Sequence, residues 1–298
     1  MDIFLERLFD GVTNGAVYAI MALALVVVFR STGTINFAQG EMALFTTYLA
    51  WWLTTVGLPI WAGALAAGAT GFLLGAVVER TLIRPIRRRN DMASLIVALG
   101  LFTAFNALAG LLWNSETKPM PSLFPAGLED FFPVAGARLY WDALGVWLVV
   151  LALIAGVFFL FNRTRLGLQM RAVADNAESA ALSGVPTGRI LMLGWGLAGI
   201  VGSLAGVLVT PLSATQLSLT TMFPILIYAS AAALFGGLDS PVGAVVGGLA
   251  IGVLEALITG YVEFIGGTLP QTAALVVIVL ILLFRPTGLF GTRQLERL

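Results

Sequence analysis

The chain has 298 residues, 59% of them hydrophobic and 11% charged, with zero formal net charge. A soluble domain carries about 25% charged residues, so a chain this apolar cannot cover its surface in water and its solvent is lipid. It has no cysteine and no histidine, which excludes disulfides, thiol chemistry, Cys/His metal sites and any nucleophile–His–acid catalytic arrangement.

A bilayer core about 30 Å thick takes about 20 mostly apolar residues per helix. Nine segments meet or approach that length: Gly11–Phe29, Phe37–Val56, Pro59–Val78, Met92–Trp113, Ala143–Phe161, Ile190–Val209, Met222–Leu238, Pro241–Val262 and Leu269–Phe284. The seventh is short, with Pro224 near its start and Gly236-Gly237 near its end. It is open to a broken or re-entrant reading, which would leave eight spans. The fold expected is an all-α integral membrane protein, a polytopic helical bundle forming one transmembrane domain over residues 1–298. The short alternating segments of a barrel are absent. The first fifteen residues, MDIFLERLFDGVTNG, are not basic and carry no cleavage pattern, so the first apolar run reads as a span.

Arginine placement orients the bundle. Of the fifteen arginines, thirteen fall at Arg30, at Arg80–Arg89, in the polar island of residues 162–189, and at Arg285, Arg293 and Arg297. The positive-inside rule places all four groups in the cytoplasm. The N-terminus is then outside, the C-terminus inside, and the loop 114–141 external. That loop and its border carry Trp113, Phe124 and Phe131-Phe132, a candidate dock for an external partner.

Four glycine pairs stand four residues apart: Gly71/Gly75, Gly202/Gly206, Gly243/Gly247 and Gly248/Gly252. In lipid, small residues let helices approach closely, so these spacings point to a tightly packed bundle.

Ionisable residues at membrane depth are costly and usually functional. Glu255 lies inside the eighth span and Glu41 near the start of the second. Glu255 faces either a water-filled vestibule or the amino group of a zwitterionic substrate. The stretch Thr32–Glu41, TGTINFAQGE, places Gln39 three residues after Asn36, in the pattern of a capping box. Two readings stay open: a capped helix start at the cytoplasmic face, or a break that lines the translocation path. A second break falls at Gly236–Pro241, where Asp239 or Ser240 can cap the next helix. The two breaks raise the idea of two related halves. Asn36, Gln39, Glu41, Asp239 and Glu255 are the candidate path residues.

The island predicts a short alanine-rich helix over Gln169–Ser183, ended by Gly184 at the position after the cap, with Pro186 beyond. Val173, Ala177, Ala180 and Leu182 supply modest apolar contact. A connector this structured points to docking of a soluble partner. The lone lysine, Lys118, follows Thr117, so no GxxxxGK[ST] phosphate loop exists and any ATP-driven work needs a partner. No nucleic-acid signature, cofactor motif or metal site is present.

The run Glu178-Ser179-Ala180-Ala181-Leu182-Ser183-Gly184 resembles the Glu-Ala-Ala-x-x-x-Gly coupling motif of bacterial ABC-importer permeases, with Ser179 in place of the first Ala. The stretches at Gly15–Tyr18, Ile35–Glu41, Arg171–Gly184 and Gly236–Gly243 together resemble the LivH-type permease family of high-affinity branched-chain amino-acid importers. Gln39 departs from the histidine expected in many relatives. The resemblance implies an inner-membrane subunit that forms half of a translocation path. It implies a second, LivM-like permease, two cytoplasmic ATPases and a periplasmic binding protein as partners, all working in a lipid bilayer. It further implies an ATPase contact region holding Arg171, Asp175, Asn176, Glu178, Ala180 and Gly184. The wider family includes urea and short-amide permeases, and a stand-alone secondary carrier or channel is the rival from another class.

Overall fold

The computed structural model describes residues 2–87, 91–212, 216–261, 270–285 and 287–291. Arg88, Arg89, Arg293 and Arg297, and the span bounds Val262 and Leu269, lie outside them. The described residues form an all-α polytopic membrane protein, and each of the nine expected segments coincides with a helix. These are α1 (Asp2–Thr32), α2 (Gln39–Thr55), α3 (Ile60–Val78), α5 (Asp91–Trp113), α6 (Trp141–Arg163), α9 (Thr187–Leu212), α10 (Met222–Gly236), α11 (Pro241–Tyr261) and α12 (Pro270–Phe284). Three short helices complete the set: α4 (Arg84–Arg87), α7 (Arg165–Asp175) and α8 (Ala177–Leu182).

Among the described residues, six helices are long and apolar enough to cross a membrane. The others of the nine are shorter: α2 has 17 residues, and α10 and α12 have 15 each. At 1.5 Å per residue, α10 is about 22 Å long, less than the hydrocarbon core.

Glycine decides how the bundle closes. A methyl group on Gly71 or Gly75 of α3 would overlap Ser203 or the Trp195 carbonyl of α9. One on Gly202 or Gly206 of α9 would overlap Gln39 or Thr47 of α2. Gly243 and Gly247 meet α10 backbone in the same way, and Gly248 and Gly252 meet Ala19 and Gly15 of α1. All four spaced pairs therefore sit at close helix crossings, three of them backbone to backbone and the Gly202/Gly206 pair against the Gln39 and Thr47 side chains, where close packing holds helices together in lipid. The centre of this packing is α1, whose Val17–Val26 stretch is almost wholly buried.

The other ordered pieces gather at one end. β2 (Phe131–Val134) and β3 (Ala137–Tyr140) form an antiparallel hairpin against the start of α1, where the Arg138 amide donates to Glu6. β1 (Lys118–Pro119) pairs with β4 (Gln216–Leu217). We call this the hairpin end; the opposite end carries α7, α8 and the α10–α11 turn.

The two breaks are not equivalent. Gln39, the first residue of α2, donates to the carbonyl of Ala198 at 2.9 Å. Ala198 lies eleven residues into α9 (198 − 187), so α2 starts about 16 Å inside the bundle. The start of α2 is therefore buried against the middle of α9. The second break is a tight turn at the bundle end, with Gly237 at φ 106°. Residues 287–291 lie over it, and the Leu289 and Phe290 amides donate to the carbonyls of Phe235 and Gly236.

Candidate functional site

The island folds as two helices, not one. The Thr164 hydroxyl caps α7 by accepting from the Gly167 amide at 3.1 Å. The chain then breaks at Asn176, which is extended (φ −153°, ψ 102°), and its side-chain oxygen accepts from the Ser179 amide at 2.8 Å to start α8. An asparagine side chain competes with the helix for backbone donors, and here it wins. α8 ends as expected: Gly184 has φ 84°, its amide reaches the Ala181 carbonyl, and the Val185 amide reaches the Ala180 carbonyl, both at 3.0 Å. That pair of bonds is a Schellman stop.

One face of the pair is buried. Met170, Val173 and Ala180 pack with Ile190 and Leu191 of α9 in a cluster separate from the main core. Of the expected contact residues, Arg171, Asp175, Asn176, Glu178 and Gly184 are exposed, while Ala180 is 5% exposed and serves as an anchor. Of the four residues expected to supply apolar contact, Leu182 is 86% exposed.

A brace holds the start of α9. After α3 the helix widens into a π turn over Glu79–Ile83. Residues five apart then stack on one face, which an α-helix would not allow. Arg84 uses this to grip Glu79 with two hydrogen bonds, Nη2 to Oε2 at 2.6 Å and Nε to Oε1 at 3.1 Å. The same guanidinium donates to the carbonyl of Gly188 in the first turn of α9. Sequence reasoning treated Arg84 as a topology signal only. The spacing of five between Glu79 and Arg84, next to Pro85, was the available clue.

The five candidate path residues occupy four places. Asn36 and Gln39 form a buried knot: the Ala38 amide donates to Asn36 Oδ1 at 3.1 Å and Asn36 Nδ2 donates to Gln39 Oε1 at 3.3 Å. This is a turn closed by Asn36, and the capping box does not form, because α2 starts after it with no side-chain cap. Glu41 is buried elsewhere on α2 and accepts from Asn106 Nδ2 of α5 at 2.9 Å. The same nitrogen donates to the Leu219 carbonyl at 2.9 Å. Asn106 carries no charge, so it gives no signal of an ionisable group at depth. Asp239 sits in the α10–α11 turn, where Ser240 is the cap: its hydroxyl accepts from the Gly243 amide at 3.0 Å. Glu255 lies towards the hairpin end, where the Tyr18 hydroxyl donates to it at 3.4 Å. Tyr18 in turn stacks on Tyr228 of α10 with ring centres 4.9 Å apart.

The aromatics of the 114–141 region divide. Trp113 stacks on Tyr48, Phe124 packs edge-on to Trp61, and Phe131 packs on Tyr140. Phe132 is 54% exposed and Leu128 87% exposed, so these two are free to meet a partner.

A bundle closed by glycine crossings, with a helix pair packed at one end, defines a polytopic helical membrane protein. The chain belongs to the family described as branched-chain amino acid transport system / permease component, whose model matches residues 7–285. It is 28% identical to the high-affinity branched-chain amino acid transport system permease protein LivH of Salmonella typhimurium, over 99% of this chain and 97% of that protein. It is also 28% identical to the permease BraD of Pseudomonas aeruginosa, over 99% and 98% of the two chains. In fold it is similar to a chain of PsaBC from Streptococcus pneumoniae solved in complex with Fab. That match has a TM-score of 0.50 at 14% identity, over 92% of this chain and 88% of that one.

Proposed function

We propose that this chain is the permease subunit of an ABC importer for branched-chain or other aliphatic amino acids. It forms half of the translocation path and takes its driving force through α7 and α8. The observation that carries this is the island's build. Its outer face is polar and exposed, with Leu182 as an apolar knob, while its inner face is fixed by the Met170–Leu191 cluster and flanked by the Arg84 brace. A push on α8 then reaches α9 with little slack, because close-packed contacts transmit strain.

In this reading the island end is cytoplasmic and meets an ATPase subunit. A second, LivM-like permease completes the path, a second ATPase serves it, and a periplasmic binding protein delivers substrate at the hairpin end. The membrane is the bacterial inner membrane. The sunken start of α2 is the break in the path: irregular backbone at this depth is tolerated when buried in protein, as Asn36 and Gln39 are.

The test is uptake of labelled leucine by membrane vesicles carrying the complete transporter. Uptake should require the ATPase partner and ATP. Uptake that persists after deletion of the ATPase would overturn the reading in favour of a stand-alone carrier.

A further inference from the structure

A polar cavity of about 410 Å³ lies at the hairpin end, between α1, α6, α9 and α11. Small-molecule sites span about 300–1,000 Å³, so it has room for an amino-acid-sized solute. Arg7, Asp10 and Asn14 of α1, Asp142 of α6, and Glu255 and Thr259 of α11 line it. Pro211 and Leu212 of α9 add an apolar wall.

Its charges are of both signs, and within it the Arg7 guanidinium acts on the Asp10 carboxylate. The Arg84–Glu79 and Lys118–Glu116 ion pairs both lie elsewhere. Three carboxylates face one guanidinium, and Arg7 lies against Gly260, where the lack of a side chain leaves it room. Glu255 is six residues inside the end of α11 (261 − 255), about 9 Å along the axis, with the Tyr18 hydroxyl and the Asn14 side chain as hydrogen-bond partners. An ionisable group at that depth is costly and marks a candidate functional site.

We infer that this cavity is an outer binding station within a single subunit, which holds the ammonium end of a zwitterionic solute against Glu255 and Asp142. Arg7 receives the carboxylate end. The excess of acid over base makes the ammonium group the required handle and the carboxylate the dispensable one. The inference rests on the permease reading for the solute class, and it places recognition inside one permease.

The test uses the purified full-length chain in nanodiscs and three probes of one carbon skeleton: L-leucine, 3-methylbutylamine and 4-methylpentanoate. Saturation-transfer NMR should detect leucine and the amine but not the acid. Glu255→Gln should weaken amine binding about tenfold or more, the scale of one charge-assisted hydrogen bond. Arg7→Gln should weaken leucine while sparing the amine. Normal co-purification of the ATPase with Glu255→Gln shows that the variant is folded. Equal binding of the acid, or amine binding unchanged by Glu255→Gln, would overturn the station. ATPase-dependent uptake in that case would leave the permease reading standing; loss of that dependence with the binding pattern intact would overturn only the permease reading.

Discussion

Arg84 and Gly188 are joined across the bundle, the guanidinium of one donating to the carbonyl of the other while it also grips Glu79. The side chain of Glu79 is 2% exposed and that of Arg84 36% exposed. Removing the arginine leaves a buried carboxylate without its cation. Breaking a fully buried pair costs about 3–5 kcal/mol, and the exposure of Arg84 lowers this to about 2–3 kcal/mol. Arg84→Ala should therefore lower the melting temperature in detergent, and Arg84→Ala with Glu79→Gln should recover part of the loss. A single variant as stable as the parent would remove the brace from the account.

Asn106 ties α2 to the segment before α10 through one nitrogen shared by Glu41 and the Leu219 carbonyl. Asn106→Leu keeps the branched outline of the side chain and strands both acceptors, at a cost of about 1–3 kcal/mol. Asn106→Leu with Glu41→Gln should be milder than the sum of the two single changes. Thermal unfolding of the four proteins gives this coupling, and strict additivity would show that the contact carries nothing.

Glycine positions should divide sharply. Gly71→Ala drives a methyl into Ser203 and the Gly199 backbone, so α3 must move away from α9. Overpacking of this kind costs about 1–3 kcal/mol. Gly100 on α5 has open space around it, and there the change gains up to about 1 kcal/mol of helix propensity. Paired stability measurements should move in opposite directions.

Tyr48 is fully buried and its hydroxyl has no partner among the described residues. Burying an unmatched hydroxyl costs about 1–3 kcal/mol. Tyr48→Phe keeps the stacking on Trp113 and should be as stable as the parent or more so. A clear drop in melting temperature would reveal a hydrogen bond at that hydroxyl.

The sequence foretold most of the scaffold because apolar runs and glycine spacing are one-dimensional signals. All nine segments became helices, and all four glycine pairs became crossings. Gly184 ended α8 because the Schellman stop needs φ above zero, which glycine adopts without strain. What failed was competition between local options. Asn176 looked like helix filler and instead split the island, and Asn36 closed a turn without capping α2. The depth of the α2 start was not legible, since it follows from the contact between Gln39 and Ala198, 159 residues apart. Asn106 and the Glu79–Arg84 pair were hidden for the same reason: each acts through a neighbour distant in sequence or through a π turn.

The central claim is that α8 is where a soluble ATPase grips this permease. It is tested most directly by co-purifying that ATPase with the full-length chain carrying Leu182→Asp or Glu178→Arg. Both side chains are exposed, so neither change should alter the melting temperature by more than about 0.5 kcal/mol equivalent. The account predicts that the ATPase stays with the parent chain and is lost at least about tenfold from each variant, together with leucine uptake. Full retention of the ATPase by both variants, with uptake unchanged, would contradict it.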